Sequence, residues 1–295
     1  MTSYIAQVIA DTLSLGGLYS LTALGIGLVF GVMRLINFAH GDLITFAGYG
    51  ILALFGYSVL GSIAVAIAIG VLLALAIERV AMRPLRDSSP STLLVSSFAV
   101  SMLLQKTLIL TIGSRPKGLD FLPELQREVT ILGAHLPLLE VVTIVLSAAL
   151  LAALSWFLRA TRYGLEMRAA AEDFRMARLL GVRANRVIAL AFAISGFLAA
   201  VVSVLLVAQT GLVQPRMGVN LVNIGFVSTV IGGLGSLSGA ALGGFLVGVT
   251  SVLLETFLPP DIRVFREALV FITVILVLLI RPQGLIPARG LRERV

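Results

Sequence analysis

The residues best equipped for chemistry are Asn37, His40 and Asp42, grouped at the start of an otherwise apolar stretch. An amide, an imidazole and a carboxylate at that spacing suit three tasks. They can contact a polar solute on a path, form a gate at the mouth of that path, or fix a local helix break through a His40–Asp42 hydrogen bond. They do not amount to a hydrolytic or redox centre. The chain has no cysteine, so there is neither thiolate chemistry nor a disulfide framework. His135, the second histidine, is remote in sequence from His40 and shares no metal-ligand spacing with it. With no nucleophile–base constellation and no Gly-rich phosphate loop carrying Lys and Ser/Thr, no catalytic residue, bound cofactor or metal site is assigned. A mid-span carboxylate pair, the usual mark of a proton relay, is also missing from the sequence.

Composition sets the solvent in which those residues must be held. Of 295 residues, 58% are hydrophobic and 13% charged, and the mean hydropathy is +1.05. Soluble domains carry roughly a quarter charged residues, so this chain lacks the charge to cover a water-facing surface. The reading is an all-α polytopic membrane helix bundle. Apolar runs fall at residues 9–33, 59–77, 92–112, 136–158, 187–208, 239–257 and 269–280, most of them near the length that about 20 residues of helix need to cross a bilayer. Residues 1–11 lack the basic stretch and cleavage pattern of a signal peptide, so the first run is expected to be a mature span.

Residues 37–57, headed by the Asn37–Asp42 cluster, and residues 219–235, ending in Gly232, Gly233 and Gly235, are less regular. Broken helices at membrane depth are tolerated only where protein or water surrounds them. Both segments are therefore expected to line a path or to be short loops with ordinary packing.

Arginine sets the orientation. Residues 79–87, 159–186 and the tail from Arg281 are basic and read as cytoplasmic, whereas the charges in residues 113–135 cancel, as suits an exported loop. Residues 209–220 and 259–266 would share the exported side. The net charge of +7 is thus spent on sidedness and does not argue for nucleic acid. Eight or nine transmembrane or re-entrant segments satisfy these assignments, the side of the N-terminus changing with the count.

Gly235, Gly239 and Gly243 form two successive small-xxx-small steps, a pattern for close helix crossing within the chain or between subunits. Residues 165–180 read as one cytoplasmic helix rich in good formers and ended by Gly181. Arg168 and Glu172 are spaced to pair. Met167, Ala170, Phe174 and Ala177 recur as one apolar stripe. That stripe suits either lipid headgroups or a groove on a partner.

These stretches carry a resemblance. Residues 16–49 (GGLYSLTALGIGLVFGVMRLINFAHGDLITFAGY), 168–181 (RAAAEDFRMARLLG), 232–244 (GGLGSLSGAALGG) and 281–285 (RPQGL) resemble the inner-membrane permease subunits of bacterial ABC importers for branched-chain amino acids. That group also includes urea and short-amide permeases, which supply the alternative cargo; an ion-coupled secondary transporter is a more distant alternative. The resemblance implies one permease domain over residues 1–295, with a cytoplasmic coupling segment at 159–186 and an exported loop at 113–135. It implies a second homologous permease subunit, two cytoplasmic ATPase subunits that use the ATP, a periplasmic substrate-binding protein and a bacterial inner-membrane location. It also implies that Arg168, Glu172, Asp173, Phe174, Ala177 and Gly181 form the ATPase-coupling element. The general importer motif has Glu-Ala-Ala, three residues and Gly; here Arg175 stands where that Glu would be, and Glu172 and Asp173 would supply the acid one turn earlier.

Overall fold

The computed structural model describes residues 2–86, 88–131 and 134–286. Eleven α-helices dominate: α1 (Thr2–Met33), α2 (His40–Leu54), α3 (Val59–Ile77), α4 (Pro90–Thr111), α5 (Leu138–Ala160), α6 (Arg162–Glu172), α7 (Phe174–Leu179), α8 (Ala184–Thr210), α9 (Met217–Gly232), α10 (Leu237–Phe257) and α11 (Arg266–Ile280). Among the described residues six helices are long and apolar enough to cross a membrane: α1, α3 with its continuation to Leu85, α4, α5, α8 and α10. Three other apolar helices are shorter: α2 and α11 have 15 residues each and α9 has 16. Arg289, Arg292 and Arg294 of the basic tail lie outside the described residues.

The apolar residues of α1 run all round the helix, which suits burial rather than one lipid-facing side. Its most apolar window is 89% buried, against 22% in α4 and in α5, so α1 forms the centre of the bundle and α4 and α5 its periphery. Glycine permits the close approaches. A Cβ on Gly248 of α10 would stand 2.3 Å from Gly16 Cα of α1, and one on Gly196 of α8 2.4 Å from the Gly70 carbonyl oxygen of α3. With little hydrophobic drive between helices in lipid, such contacts supply the packing energy.

The connections gather into two groups. In one, β1 (Lys117–Gly118) pairs antiparallel with β4 (Leu212–Val213), and Gln126 Nε2 donates to the Ala208 carbonyl at 3.0 Å. The segment 113–135 and the α8–α9 connection therefore share one end of the bundle. In the other, Arg34 Nη2 donates to the Ala171 carbonyl at 2.7 Å, and Arg86 Nη1 to Asn185 Oδ1 at 2.5 Å. The backbone N–H of Leu285 donates to Ile231 O at 2.8 Å, which adds the RPQGL segment to that end.

The structure departs from the sequence reading at several points. The bundle is not wholly α, because residues 113–135 carry short strands. β2 (Glu128–Ile131) pairs with β3 (Ala134–Pro137), the strand that contains His135. The two-stranded ribbon pairs backbone polar groups of residues 128–131 and 134–137, and Pro123 opens a short 3₁₀ turn, Pro123–Gln126, instead of an α-helix. The expected loop at 79–87 begins as helix: α3 runs on through a π-helical turn, Glu78–Met82, into a 3₁₀ turn, Arg83–Leu85. Buried Glu78, paired with Arg86, holds that continuation.

Residues 165–180 are not one helix either. The chain breaks at Asp173, whose Oδ1 accepts from Met176 N–H at 2.9 Å and caps α7. No ion pair joins Arg168 to Glu172. Gly235 is not a helix-packing residue: it sits in the α9–α10 turn at φ +86°, a left-handed conformation that glycine takes without steric cost.

Candidate functional site

Asn37, His40 and Asp42 owe their position to a reversal after α1. Arg34 takes φ +56°, an uncommon backbone state for a non-glycine residue, and turns the chain back. Residues 35–39 then run non-helically into the bundle, with Leu35, Asn37 and Ala39 buried. The segment is braced from within and by two neighbouring helices, α4 and α9. Asn37 Oδ1 accepts from Ala39 N–H at 3.2 Å. Ser97 Oγ of α4 donates to the Ile36 carbonyl at 3.3 Å. The Phe38 ring meets Phe98 of α4 edge-on at 6.2 Å and Phe226 of α9 at 6.4 Å.

α2 begins inside the protein at His40. That ring is 1% exposed and fills the space left by Gly25 of α1, where a Cβ would come 2.6 Å from His40 Cε1. Gly25 precedes Arg34 by roughly 13 Å of helix rise. His40 is thus well inside the bundle and not at its mouth. Nδ1 shares a 3.0 Å hydrogen bond with Ser195 Oγ of α8, either atom donating according to the tautomer. The His40–Asp42 pair that would fix the break locally is not formed. The two residues are about 200° apart around the helix, so their side chains go to different neighbours: Asp42 turns to Ser101 and Gln105 of α4. Neither carboxylate oxygen accepts a hydrogen bond of normal geometry, and Asn37 Nδ2 and His40 Nε2 are likewise unpaired. Gln105 Nε2 instead donates to Ser101 Oγ at 3.0 Å.

α9 closes the site from the other side. A Cβ on Gly218 would stand 1.9 Å from the Gly41 carbonyl oxygen. Gly218 N–H donates to Thr45 Oγ1 at 3.2 Å, and that hydroxyl donates to the Gly41 carbonyl at 3.0 Å. The two irregular segments singled out in the sequence therefore meet each other, at the N-terminal turns of α2 and α9. Ser195, Ser101, Gln105, Thr45 and Gly218 were not singled out. Serine, threonine and glycine are ordinary packing residues in membrane helices, so only Gln105, a polar amide deep within an apolar run, carried a readable signal.

The α6–α7 element stands at the opposite end of the Arg34 link. Met167 and Ala170 are buried in the core of the same chain's bundle, Phe174 is half-buried against it, and Ala177 is buried as well. This stripe is therefore not the face offered to lipid or a partner. The open edge holds Leu165 at 60%, Met176 at 53%, Leu179 at 77% and Leu180 at 80% exposure, with Arg168, Glu172 and Asp173 exposed beside them. Gly181, at φ +90°, ends α7, and Val182 N–H donates back to Ala177 O at 3.0 Å. Gly239 and Gly243 of α10 face Gly232 and Ser228 of α9, with Cβ-to-carbonyl distances of 2.2 and 2.0 Å, so their contact is within the chain.

Long apolar helices around a central α1, with interrupted helices meeting at a buried polar cluster, define a multi-pass helical membrane protein of the transport type. Residues 8–280 match the family described as branched-chain amino acid transport system permease component, and the chain belongs to that family. It is 34% identical to the high-affinity branched-chain amino acid transport system permease protein LivH of Salmonella typhimurium and to that of Escherichia coli, in each case across 96% of both chains. The corresponding protein BraD of Pseudomonas aeruginosa is 33% identical over 96% of this chain and 95% of its own. A solved structure of PsaBC from Streptococcus pneumoniae in complex with Fab has a similar fold, with a TM-score of 0.52 at 16% identity, covering 97% of this chain and 94% of that one.

Proposed function

We propose that this chain is the membrane subunit of an ATP-driven importer in the bacterial inner membrane, forming the path for branched-chain or other hydrophobic amino acids delivered by a periplasmic binding protein. Its family membership across residues 8–280 carries this reading. The chain works beside a second homologous permease subunit and two cytoplasmic ATPase subunits. Those ATPases, not this chain, use the ATP. One permease domain spans residues 1–295, with the coupling segment at 159–186 inside and the loop at 113–135 outside.

Nine crossings fit the chain: α1, α2, α3, α4, α5, α8, α9, α10 and α11, with α6 and α7 inside. The Asn37 amide, His40 and Asp42 provide unpaired donors and acceptors in an apolar bundle. An amino acid carries one ammonium and one carboxylate, the two groups that an acceptor such as Asp42 and a donor such as Asn37 satisfy. In the closed arrangement His40 locks α2 to α8 through Ser195. The ATPases engage the edge formed by Arg168, Glu172, Met176 and Leu180. Arg34, bonded to Ala171, passes their motion straight to the segment bearing Asn37 and His40. Asp173, Phe174, Ala177 and Gly181 hold the edge in place rather than touch the partner.

The reading is tested with the reconstituted complex. ATP hydrolysis should rise when a binding protein loaded with leucine, isoleucine or valine is added. Stimulation by a urea- or amide-loaded binding protein, with none by the branched-chain amino acids, overturns the cargo assignment.

A further inference from the structure

A second feature lies away from the His40 site, at the end of the bundle that carries α6 and α7. A cleft of about 850 Å³ is lined by Arg83 and Arg86 at the end of the α3 extension, Phe174 and Arg178 of α7, and Arg183 and Arg186 at the start of α8. Arg86 is held by Glu78 and by Asn185. The other four arginines make no ion pair among the described residues. Four like charges around one cleft repel each other, and the cleft gains stability by taking up an anion. Guanidinium groups match phosphate oxygens in geometry as well as charge.

The surroundings decide which anion. Along the outer side of α3 and its π-helical continuation, Leu72 and Val80 are 65% and 76% exposed, and their row leads to exposed Arg83 at the rim of the cleft. Leu179, next to Arg178 in the chain, is also bare, at 77% exposure. An acyl chain lying along Leu72 and Val80 would bring its phosphate to the arginines, an arrangement a soluble anion cannot use. We propose that this cleft binds the phosphate headgroup of an anionic phospholipid, with the acyl chains on the exposed face of α3. Bound lipid would tie the α3 end to α7 and α8, bracing the coupling element from the membrane side.

The test uses the intact permease complex purified with a mixture of phosphatidylglycerol and phosphatidylethanolamine, with bound lipid counted by native mass spectrometry. Phosphatidylglycerol should be enriched on the wild type, and occupancy should fall about fivefold per arginine removed in R83Q/R183Q. The charge-conserving R83K/R183K should retain most of it. R115Q, which alters an exposed arginine at the opposite end of the bundle, should match the wild type. Unchanged lipid occupancy in R83Q/R183Q overturns the proposal. So does displacement of phosphatidylglycerol by excess inorganic phosphate, which reassigns the cleft to a soluble anion. Loss of the ATPase subunits from R83Q/R183Q with lipid occupancy intact makes the cleft a protein contact and also overturns it.

Discussion

At the scale of single residues, the candidate site is built by the absence of side chains as much as by their presence. Gly25 leaves the volume that the His40 ring occupies, and Gly218 lets α9 approach the Gly41 carbonyl. Polar groups then settle to the nearest helix: His40 to Ser195, Thr45 to Gly218. An alanine at Gly25 drives its methyl into the imidazole, an overpacking that costs about 1–3 kcal/mol. Alanine at His40 removes the obstacle. The G25A/H40A double variant should therefore be more stable than the sum of the two single effects, with a coupling of about 1 kcal/mol or more, measured by thermal unfolding of the purified chain. Transport in G25A should drop, because the ring can no longer seat against Ser195. Additivity of the two substitutions within about 0.5 kcal/mol would mean that the residues do not share the space. The cluster Asn37, His40 and Asp42 was visible in the sequence because charge and amide are rare in an apolar run. Its partners were not visible, because contacts such as His40–Ser195 join residues far apart in the chain, and no local period encodes them.

Elements such as α6 and α7 show how a correct pattern can carry the wrong inference. The 3- and 4-residue spacing of Met167, Ala170, Phe174 and Ala177 does mark a covered face, but Met167, Ala170 and Phe174 are covered by the chain's own bundle. Periodicity tells that a stripe is covered, not by what. The break at Asp173 was hidden for a different reason: aspartate is tolerated inside a helix, and only the bond to Met176 N–H reveals it as a cap. This geometry separates two substitutions. A177D places an uncompensated carboxylate at a position only 4% exposed, which costs about 3–5 kcal/mol and should lower the melting temperature of the isolated permease. L180D alters a residue that is 80% exposed, so it should leave that melting temperature unchanged while the ATPase subunits fail to co-purify. If L180D retains the ATPases and A177D alone releases them at unchanged stability, the docking face is the stripe after all.

Over the whole molecule, the long spans were legible because a run of apolar residues near bilayer length has few other uses. The short helices were not, since 15 or 16 residues suit a tilted crossing and a re-entrant turn equally well. Connections supply what length does not. The pairing of β1 with β4 puts the 113–135 loop and the α8–α9 connection at one end, while the Arg34–Ala171 and Arg86–Asn185 bonds gather the basic segments at the other. α2 leaves the basic end, and α3 returns to it at Arg83. Because α3 with its continuation is long enough to cross and ends at the basic end, the α2–α3 connection is expected outside. Tyr57 in that connection is 87% exposed, Val264 before α11 86%, and Leu180 80%. Because the chain has no cysteine, each position can be read alone. A membrane-impermeant maleimide applied to intact cells should label Y57C and V264C and should reach L180C only after permeabilisation. Protection of Y57C with labelling of V264C would mean that α3 does not carry the chain from the exported side to Arg83, and would overturn the nine crossings.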